Sequence, residues 1–464
     1  MKKRLKKAWH WIDDRSGISE VIGPLMKHPV PPGSQWSYVF GSATLFCFVL
    51  QIVTGVALAL LYQPSSDQAF QSLKFITNEA VMGKWLRGIH YFGASGMILM
   101  VGIHMLRVYI TAAYKYPREM SWISGVVLLL LTVSMGFTGQ LLRWDANGVW
   151  SGVVAAEQLG RIPLIGKYIA RLLIGGDTLG GQSLSRFFAY HVFLFPGLIL
   201  LFVSFHLYLV IRNGISEPPK AGQVVDPRTY RKWYQNMLKS EGIPFWPYAA
   251  WRDVLFGVGT LLLIILLAAI VGAPALGKQP DPSLVYTTPS PDWYLLWIYA
   301  LFALMPPAIE SYVMFVGPII VIGLLFSLPF ISNKGERSPI RRPWAIVGSV
   351  AVVIIVGSLL VVGNTAAWSP HFDTKKLPAS VVKSSETSVL AGSQLLYDKG
   401  CLYCHKIDEY GGLKGSDLTH VARRLSEQEM QIRIINGGDD MPAYGQSLKS
   451  NELNELIAFL KTRK

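Results

Sequence analysis

The chain has 464 residues, a formal net charge of +14 and a hydrophobic content of 51%, and its mean hydropathy is +0.35. A composition this apolar excludes a typical soluble domain. The basic residues lie mainly in loops between apolar stretches, so we expect no nucleic-acid partner despite the positive charge.

Seven apolar stretches are each long enough to cross a bilayer as a helix. Before them, residues 1–35 form a basic, aromatic segment that we expect to lie on a membrane surface. We predict no cleavable signal peptide there, because neither an apolar core nor a cleavage site follows the basic residues. The predicted spans run near 36–62, 89–110, 122–142, 187–211, 254–271, 312–331 and 345–362.

Basic residues concentrate on one side of these seven spans. That side holds the N-terminal segment and the loops after spans two, four and six. Because positively charged loops stay in the cytoplasm, the N-terminus is predicted to be cytoplasmic. Seven is an odd number, so the chain after span seven is predicted to lie on the outer side of the membrane.

Spans two and four each carry two histidines. His90 and His104 are 14 residues apart, and His191 and His206 are 15 residues apart. At about 100° and 1.5 Å per residue, each pair stays on nearly one helix face, with about 21 or 22 Å between its members. The two spans run in the same direction, so His90 can face His191 near the outer side and His104 can face His206 near the inner side.

Two bis-histidine, non-covalent haems b are therefore predicted inside a four-helix bundle. Ionisable side chains at membrane depth are costly and usually mark function. The alternative is four separate histidines, each satisfied by a neighbouring helix. Matched spacing on two co-directional helices favours the haem ligands.

Glycines repeat at the same spacing in the neighbouring spans. Gly41 and Gly55 are 14 residues apart in span one, and Gly125 and Gly139 are 14 apart in span three. Glycine has no Cβ, so a macrocycle can approach the backbone closely. Glycine is common in transmembrane helices, but two pairs at the histidine spacing predict packing against haem.

Three arginines flank the histidines: Arg87 and Arg107 in span two, and Arg186 just before span four. A guanidinium group binds carboxylates through two parallel hydrogen bonds. We therefore predict that these arginines bind haem propionates. Snorkelling to the interface and cytoplasmic positive charge are the alternative explanations.

The last 75 or so residues resemble a small soluble domain and contain the motif CLYCH, with Cys401, Cys404 and His405. In this pattern two thiols form thioethers with haem vinyl groups, and the histidine ligates the iron. Met441 is the predicted sixth ligand and His420 is its rival; a His/Met pair raises the haem potential. A redox dithiol or half of a zinc site is the alternative. Such haem attachment follows export in bacteria, which also puts this domain outside the cytoplasmic membrane.

These features together resemble cytochrome b of the quinol–cytochrome c oxidoreductases. The histidine and glycine pairs carry the resemblance, with GQSLSRFFAYH at 181–191 and TPSPDWYLLW at 288–297. It covers about residues 8–365, and the tail resembles a class I cytochrome c. RNGISEPP and the 15-residue step resemble the plastid and Gram-positive branch, in which the b subunit is often split after span four.

The predicted fold is an all-α membrane protein with seven transmembrane helices and a four-helix dihaem bundle, followed by a small all-α cytochrome c domain. The predicted parts are a cytoplasmic amphipathic segment, a dihaem cytochrome b core, a three-helix C-terminal part of cytochrome b, a linker and a cytochrome c domain. Their ranges are 1–35, 36–215, 216–365, 366–388 and 389–464, respectively.

The resemblance implies a Q-cycle. Quinol is oxidised near the outer face, and one electron passes to a Rieske iron–sulfur protein and then to cytochrome c. The other electron crosses the membrane through the two haems b to a quinone near the inner face. The resemblance also implies a homodimeric complex that contributes to the proton gradient, with the quinone pool, membrane lipid and a downstream cytochrome c or oxidase as partners.

The family motif P-E-W-Y matches Pro291, Asp292, Trp293 and Tyr294. It implies that Asp292 accepts a quinol proton, that Tyr294 is also catalytic, and that Pro291 and Trp293 belong to the quinol site. An interfacial loop in which aspartate caps a helix is the alternative. The loop WDANGVWSGVV, which includes Gly152, is expected to form the other wall of the pocket.

The sequence departs from the family pattern at two positions. Arg143 replaces the proline of L-P-W-D, which leaves the local turn open. Val39 replaces the cysteine that attaches a third haem in plastid and Gram-positive relatives, so no covalent third haem is expected. Cys47 is predicted to be a small buried side chain. Arg212 and Lys220 are the candidates for quinone reduction.

Two other functions remain open from the sequence. The chain could be a dihaem, quinone-linked membrane anchor without bifurcation, or an electron conduit with the tail as a tethered carrier. The P-D-W-Y motif, the glycine pairs and the seven spans favour the oxidoreductase.

Overall fold

The computed structural model describes residues 2–33, 35–176, 179–280, 290–365, 374–413, 415–437, 441, 443–445 and 447–464. Among these residues, seven helices are long and apolar enough to cross a membrane, which confirms the number of predicted spans. Spans one to seven are Phe40–Ala59, Gly83–Ile110, Glu119–Leu141, Gly181–Asn213, Phe245–Ile270, Tyr312–Ile331 and Pro343–Thr365. Spans two, four and five begin six to nine residues earlier than predicted. The residues before each predicted start include charged side chains, which lower the local hydropathy.

The shorter helices precede the spans, connect them or belong to the tail. They are Lys2–Ser16, Ile18–Lys27, Ala69–Asn78, Ala146–Gly160, Gly166–Ile174, Tyr230–Glu241, Trp293–Ala303, Ala379–Val382, Thr387–Asp398, Glu427–Asn436 and Ser450–Lys461. The described strands form antiparallel pairs of two residues each: 29–30 with 243–244, 224–225 with 335–336, and 406–407 with 410–411. The all-α fold predicted from the sequence is therefore confirmed.

Spans one to four form the bundle, and span five packs against spans one and two. The centre of the bundle is a small apolar cluster of Cys47, Phe48, Met97, Ile199 and Ile264. Cys47 is fully buried, as expected for a small apolar side chain. The outward faces of the spans remain exposed, which suits a lipid environment where apolar side chains need no protein cover.

A buried polar network joins the two halves of the membrane part on the side of the N-terminus. Glu217, in the loop after span four, is bonded to the guanidinium group of Arg337, from the loop after span six. Tyr230 donates a hydrogen bond to Glu217 at 2.5 Å, and Arg118 donates one to Tyr230 at 2.9 Å. Because each of these buried charges has partners, the network fixes how spans five to seven meet the bundle.

The tail folds around its own apolar core. Val389, Leu396, Leu402 and Phe459 are among the buried members of this core. Helices Thr387–Asp398 and Ser450–Lys461 pack closely against each other. The same core includes Val381 and Val382, with Leu377 packed against it. The packed unit therefore extends back to Leu377, into the segment that the sequence predicted as part of a linker.

Candidate haem and quinol sites

Spans two and four bring the four histidines together in the two predicted pairs. The ring centres of His90 and His191 are 6.2 Å apart, and their planes are inclined by 71°. His90 and His191 line one cavity of about 270 Å³, which we call the outer cavity after the predicted topology. His104 and His206 line a second cavity of about 650 Å³, which we call the inner cavity.

Span four accommodates its 15-residue histidine step through a wider helical turn. Residues Tyr190–Leu194 form one π-helical turn that includes His191. A π turn holds one residue more than an α turn and is often found at functional sites. The 15-residue step in span four therefore covers nearly the same rise as the 14-residue step in span two.

Three of the four histidines contact a hydroxyl group through Nδ1. The distances are 2.9 Å from Thr54 to His90, 3.1 Å from Thr138 to His191, and 2.8 Å from Ser124 to His206. Such a bond orients the ring and leaves Nε2 for a metal. Sequence reasoning missed these hydroxyl residues, although each one directly precedes one of the spaced glycines.

The four spaced glycines lie against the histidine rings. A Cβ built on each glycine would approach Cε1 of one ring: 3.0 Å from His104 at Gly41, 3.3 Å from His90 at Gly55, 3.7 Å from His206 at Gly125, and 2.7 Å from His191 at Gly139. A side chain at Gly139 would therefore collide with the imidazole. These glycines make room for the rings themselves, whereas the sequence had suggested room for the macrocycle.

Two of the three predicted propionate arginines line the cavities. Arg107 lines the inner cavity, and its guanidinium group lies 3.7 Å from the ring centre of Tyr38. The Nε and Nη2 atoms of Arg107 are buried and have no hydrogen-bond partner among the described residues. Arg87 lines the outer cavity and donates to the carbonyl of Pro274 at 2.6 Å.

Arg186 is placed differently from the prediction. It donates to the carbonyl of Leu172 at 2.8 Å and lies outside the described lining of the outer cavity. The Arg186 guanidinium group lies at the C-terminal end of helix Gly166–Ile174. That position satisfies free carbonyl groups there.

The P-D-W-Y segment begins a helix at the wall of the outer cavity. Asp292 is the residue before helix Trp293–Ala303, and its backbone N–H donates to Gln140 Oε1 at 3.1 Å. The Tyr294 hydroxyl donates to Asp292 Oδ2 at 3.3 Å, and Trp293 donates to Ser95 at 3.2 Å. Burial and the nearby carboxylate raise the pKa of Tyr294 well above its usual value, so its phenol stays protonated.

Asp292 and Tyr294 line the same cavity as His90 and His191. Two neighbours hold the segment against the loop after span three: Gln140 bonds the Asp292 backbone, and Asn147 Oδ1 accepts from the backbone N–H of Ser290 at 3.1 Å. Sequence reasoning missed both. Pro291 adjoins this wall, while Thr288 and Pro289 of the quoted motif lie outside the described residues.

Gly152 is buried but lies outside the described lining of the outer cavity. A Cβ there would lie 2.7 Å from Leu179 Cδ1 and 2.8 Å from Leu141 Cδ2. Gly152 therefore lets helix Ala146–Gly160 pack closely against the end of span three. Gly152 therefore contributes to the packing of the loop that forms the wall of the outer cavity, and it does not itself line that cavity.

Arg143, which replaces the family's proline, makes a paired contact with Asp145. Its Nε and Nη2 atoms donate to Asp145 Oδ2 at 3.1 and 2.7 Å, and its Nη1 atom lies 3.9 Å from Asp292 Oδ1. Asp145 is fully buried and caps helix Ala146–Gly160 by accepting from Gly148 N–H at 2.8 Å. The turn thus forms without proline, and one guanidinium group lies between two carboxylates.

The inner cavity contains an acidic residue that sequence reasoning missed. Asp253, near the start of span five, accepts a hydrogen bond from Ser42 at 2.5 Å, and both residues line the cavity. Arg212 is exposed and donates to Tyr208 at 3.1 Å, and Lys220 is exposed in the following loop. Neither belongs to the described lining of the inner cavity. The sequence feature that could have identified Asp253 is a carboxylate in the first turns of an apolar span.

The CLYCH motif forms a short helical turn at Cys401–Tyr403. His405 Nδ1 donates to the carbonyl of Ser416 at 2.8 Å, so Nε2 remains for a metal. Burial lowers the pKa of His405, which favours the neutral imidazole that binds iron. Met441 packs against the tail core. His420, the rival ligand, is exposed and bonds the backbone of Lys464 at 2.9 Å.

The residues present fit the haem groups that the motifs imply. The membrane cavities are mainly apolar, and their paired imidazoles present Nε2. The inner cavity also contains Arg107, two of whose guanidinium nitrogens are buried without a hydrogen-bond partner among the described residues. A buried cation of that kind is stable only with an anion beside it. The histidine, glycine and arginine positions therefore match an anionic, planar, iron-containing ligand.

Comparisons with known proteins agree with this geometry. Residues 25–214 match the family described as "Cytochrome b/b6/petB". Residues 390–460 match the family described as "Cytochrome C oxidase, cbb3-type, subunit III". The membrane part and the tail thus match two different families of haem proteins.

Two curated relatives cover the first half of the chain. Cytochrome b6 of Crocosphaera subtropica is 39% identical over 212 residues, which are 46% of this chain and 96% of the relative. Cytochrome b6 of Euglena gracilis is 37% identical over 214 residues, 46% of this chain and all of the relative. A solved structure titled "Hyperthermophilic respiratory Complex III" matches with a TM-score of 0.66 and 28% identity, covering 76% of this chain and 90% of that one.

The fold and the sites define a multi-pass membrane electron-transfer protein that binds haem, an enzyme subunit of the quinol–cytochrome c oxidoreductase class. The chain belongs to the cytochrome b/b6 family and carries a cytochrome c domain at its C-terminal end.

Proposed function

We propose that this chain is the fused cytochrome b–c subunit of a Q-cycle enzyme. It oxidises quinol near the outer face, sends one electron through a Rieske iron–sulfur protein to the fused cytochrome c, and sends the other across the membrane to quinone near the inner face. One observation carries the proposal: His90 and His191 line the same cavity as Asp292 and Tyr294. A proton acceptor and an electron acceptor can therefore serve one bound quinol.

The cofactors in this proposal are two non-covalent haems b and one covalent haem c. His90 and His191 would hold the outer haem b, and His104 and His206 the inner one. When bound, each haem supplies an iron that accepts and passes on one electron. No third, covalent haem is expected at Val39, whose side chain is buried.

Oxidation of a quinol releases two electrons and two protons, and in this proposal both protons leave to the outer side of the membrane, one of them by way of Asp292. The Asp292 carboxylate accepts one proton from a quinol hydroxyl group, and Tyr294 holds that carboxylate in position by donating to Oδ2 at 3.3 Å. Pro291 and Trp293 fix the start of the helix that presents Asp292. Gln140 limits movement of this segment by accepting from the Asp292 backbone.

On the inner side, we assign the quinone proton donor to Asp253 in place of Arg212 or Lys220. Its carboxyl group lines the cavity that contains His104 and His206, and Ser42 keeps it oriented. Arg107 supplies a positive charge for a haem propionate. A quinone reduced there would take its protons from the cytoplasmic side.

The tail receives the electron that leaves through the Rieske protein. Cys401 and Cys404 would form the thioethers, and His405 and Met441 would be the axial ligands of haem c. The proposal includes a bacterial cytoplasmic membrane location, with the N-terminus inside and the tail outside. Further proposed partners are a second copy of the subunit, the quinone pool, membrane lipid and a downstream cytochrome c or oxidase.

Purification with associated proteins tests the proposal. The expected result is a bound Rieske cluster, detected by electron paramagnetic resonance, and quinol oxidation that reduces haem c and haem b together. Asp292→Asn should slow both reductions equally, because both electrons come from one quinol. A matched control, Asp67→Asn, changes an aspartate outside the described cavity lining and should leave both rates unchanged.

The alternative is a dihaem anchor or conduit without bifurcation. It predicts that quinol reduces the haems b while haem c stays oxidised, even when the Rieske protein is active. That outcome would reject the Q-cycle and leave only the electron-transfer role.

A further inference from the structure

The loop after span five is fixed by its backbone to the outer surface of the cytochrome b part. Gly277 N–H donates to Asp145 Oδ2 at 3.0 Å. Ala146 N–H donates to the carbonyl of Lys278 at 2.8 Å. Asp145 is fully buried and bound to Arg143, which lines the outer cavity. The backbone of Lys278 is therefore held beside the wall of the outer cavity, where quinol is proposed to bind.

The side chain of Lys278 extends from this loop to the tail. Its Nζ atom lies 4.7 Å from the ring centre of Tyr397 and 5.4 Å from that of Tyr403. Nζ is buried and has no hydrogen-bond partner among the described residues. A buried ammonium group is stabilised by aromatic faces and is costly without a partner. The two tyrosine rings therefore help to make this position favourable, together with the nearby carboxylate of Asp398.

Both tyrosines lie where haem c would be attached. Tyr403 stands between Cys401 and Cys404 in the CLYCH motif, and Tyr397 lies four residues before Cys401. The tail therefore meets the membrane part through its haem-attachment segment. Burial lowers the pKa of Lys278 to about 8, so the amine still carries its charge at neutral pH.

The connection between the two parts is short. Span seven ends at Thr365, and the tail core reaches back to Leu377. The eleven residues between them span at most about 40 Å when extended. A short tether raises the local concentration of the tail at its own outer loops, so a weak contact is enough to hold it there.

We propose that Lys278 is a docking residue that seats the chain's own cytochrome c domain on the outer loops of the cytochrome b part, with the haem-attachment segment facing the quinol cavity. The occupant is the covalently attached tail, because the aromatic rings that cover the ammonium group belong to it. The docked position brings the attachment edge of haem c close to the place where quinol electrons leave.

Distances between two spin labels on the full-length, haem-loaded protein test this docking. Glu157→Cys, on an exposed position of helix Ala146–Gly160, and Gln428→Cys, on an exposed position of the tail, provide the label sites. Background labelling is low because Cys47 is buried and the other two cysteines carry haem. The haems are kept reduced so that low-spin iron is diamagnetic during pulsed electron paramagnetic resonance.

The expected result is one narrow distance distribution in the otherwise unchanged protein. Lys278→Ala and Lys278→Glu should broaden it, whereas Lys278→Arg should keep it narrow, because a guanidinium group also stacks on aromatic faces. The matched control is Lys376→Ala: Lys376 lies 5.8 Å from the same Tyr397 ring but belongs to the tail segment itself. It should leave the distribution narrow.

A distribution that stays narrow in both Lys278→Ala and Lys278→Glu would overturn the docking role of Lys278. A broad distribution in the unchanged protein would overturn the docked position itself. Unchanged haem b and haem c spectra in each variant exclude misfolding. Because the measurement uses no quinol, its outcome is independent of the proposed Q-cycle.

Discussion

Replacing Arg143 with leucine should destabilise the outer loops and change the pH dependence of quinol oxidation. Arg143 makes two short hydrogen bonds to Asp145, a carboxylate with no solvent exposure. Leucine leaves that buried charge without its cation. Among the described residues, the backbone N–H groups of Gly148 and Gly277 would still bond it.

The size of the effect follows from burial. Removing one partner of a buried ion pair costs about 3–5 kcal/mol. The matched control is Arg161→Leu, which breaks a pair with Glu310 at 3.8 Å whose side chains are 50% and 27% exposed. Such an exposed pair contributes about 0–1 kcal/mol, so Arg161→Leu should hardly change the melting temperature, while Arg143→Leu should lower it clearly.

Arg143 also lies 3.9 Å from Asp292. A carboxylate that loses a cation at that distance binds its proton more tightly. In the pH–rate profile of quinol oxidation, the acid limb is the range in which the rate falls as the pH is lowered. This acid limb should therefore move to higher pH in Arg143→Leu. Arg143→Lys keeps a charge there and should move the limb less.

Two assays separate the effects on stability and on proton transfer. Heating the detergent-solubilised protein while following haem b absorbance reports stability, and the pH–rate profile reports the proton acceptor. The double variant Arg143→Leu/Asp145→Asn should recover much of the stability, because no buried charge is left, yet keep the shifted acid limb. Equal melting temperatures for Arg143→Leu and Arg161→Leu, or an unmoved acid limb, would refute this reasoning.

Three further predictions concern the haem ligands. His104→Leu should halve the haem b content in a pyridine haemochrome assay while the outer haem remains; loss of both haems would contradict two independent sites. Thr138→Val should weaken retention of the outer haem by roughly 10–100-fold in haem transfer to apomyoglobin, whereas Ser134→Ala, whose hydroxyl bonds its own helix at 2.9 Å, should not. Met441→Leu should lower the haem c reduction potential, and His420→Ala should leave it unchanged; the reverse result would make His420 the ligand.

The number of spans and the histidine positions could be predicted because both depend on local, periodic features. Hydropathy over about 20 residues identifies a helix that crosses a membrane. Helix geometry converts a 14-residue step into a shared face. His90 and His104 could be assigned without knowledge of other helices, and both lie in the part of the chain that matches its family.

Other residues could not be assigned because the direction of a side chain depends on which helix packs beside it. Arg186 resembled a propionate ligand in sequence but faces the end of helix Gly166–Ile174. Arg212 had the right charge near the inner side but is exposed and bonds Tyr208 of its own helix. Asp253 was overlooked because span five contacts span one only after folding, which brings Ser42 to its carboxyl group.

The seven spans, the two histidine pairs, the CLYCH segment and the separate character of the tail can be read from the sequence. These features follow from composition and from spacing along single helices. Two contacts became visible only in the folded chain: Arg143 joins Asp145 to the P-D-W-Y segment, and Lys278 contacts the tyrosines of the tail. The contact of Arg143 with Asp292 joins residues 149 positions apart, and that of Lys278 with Tyr397 joins residues 119 positions apart. Such pairs are set by how helices and loops pack, which no local pattern encodes.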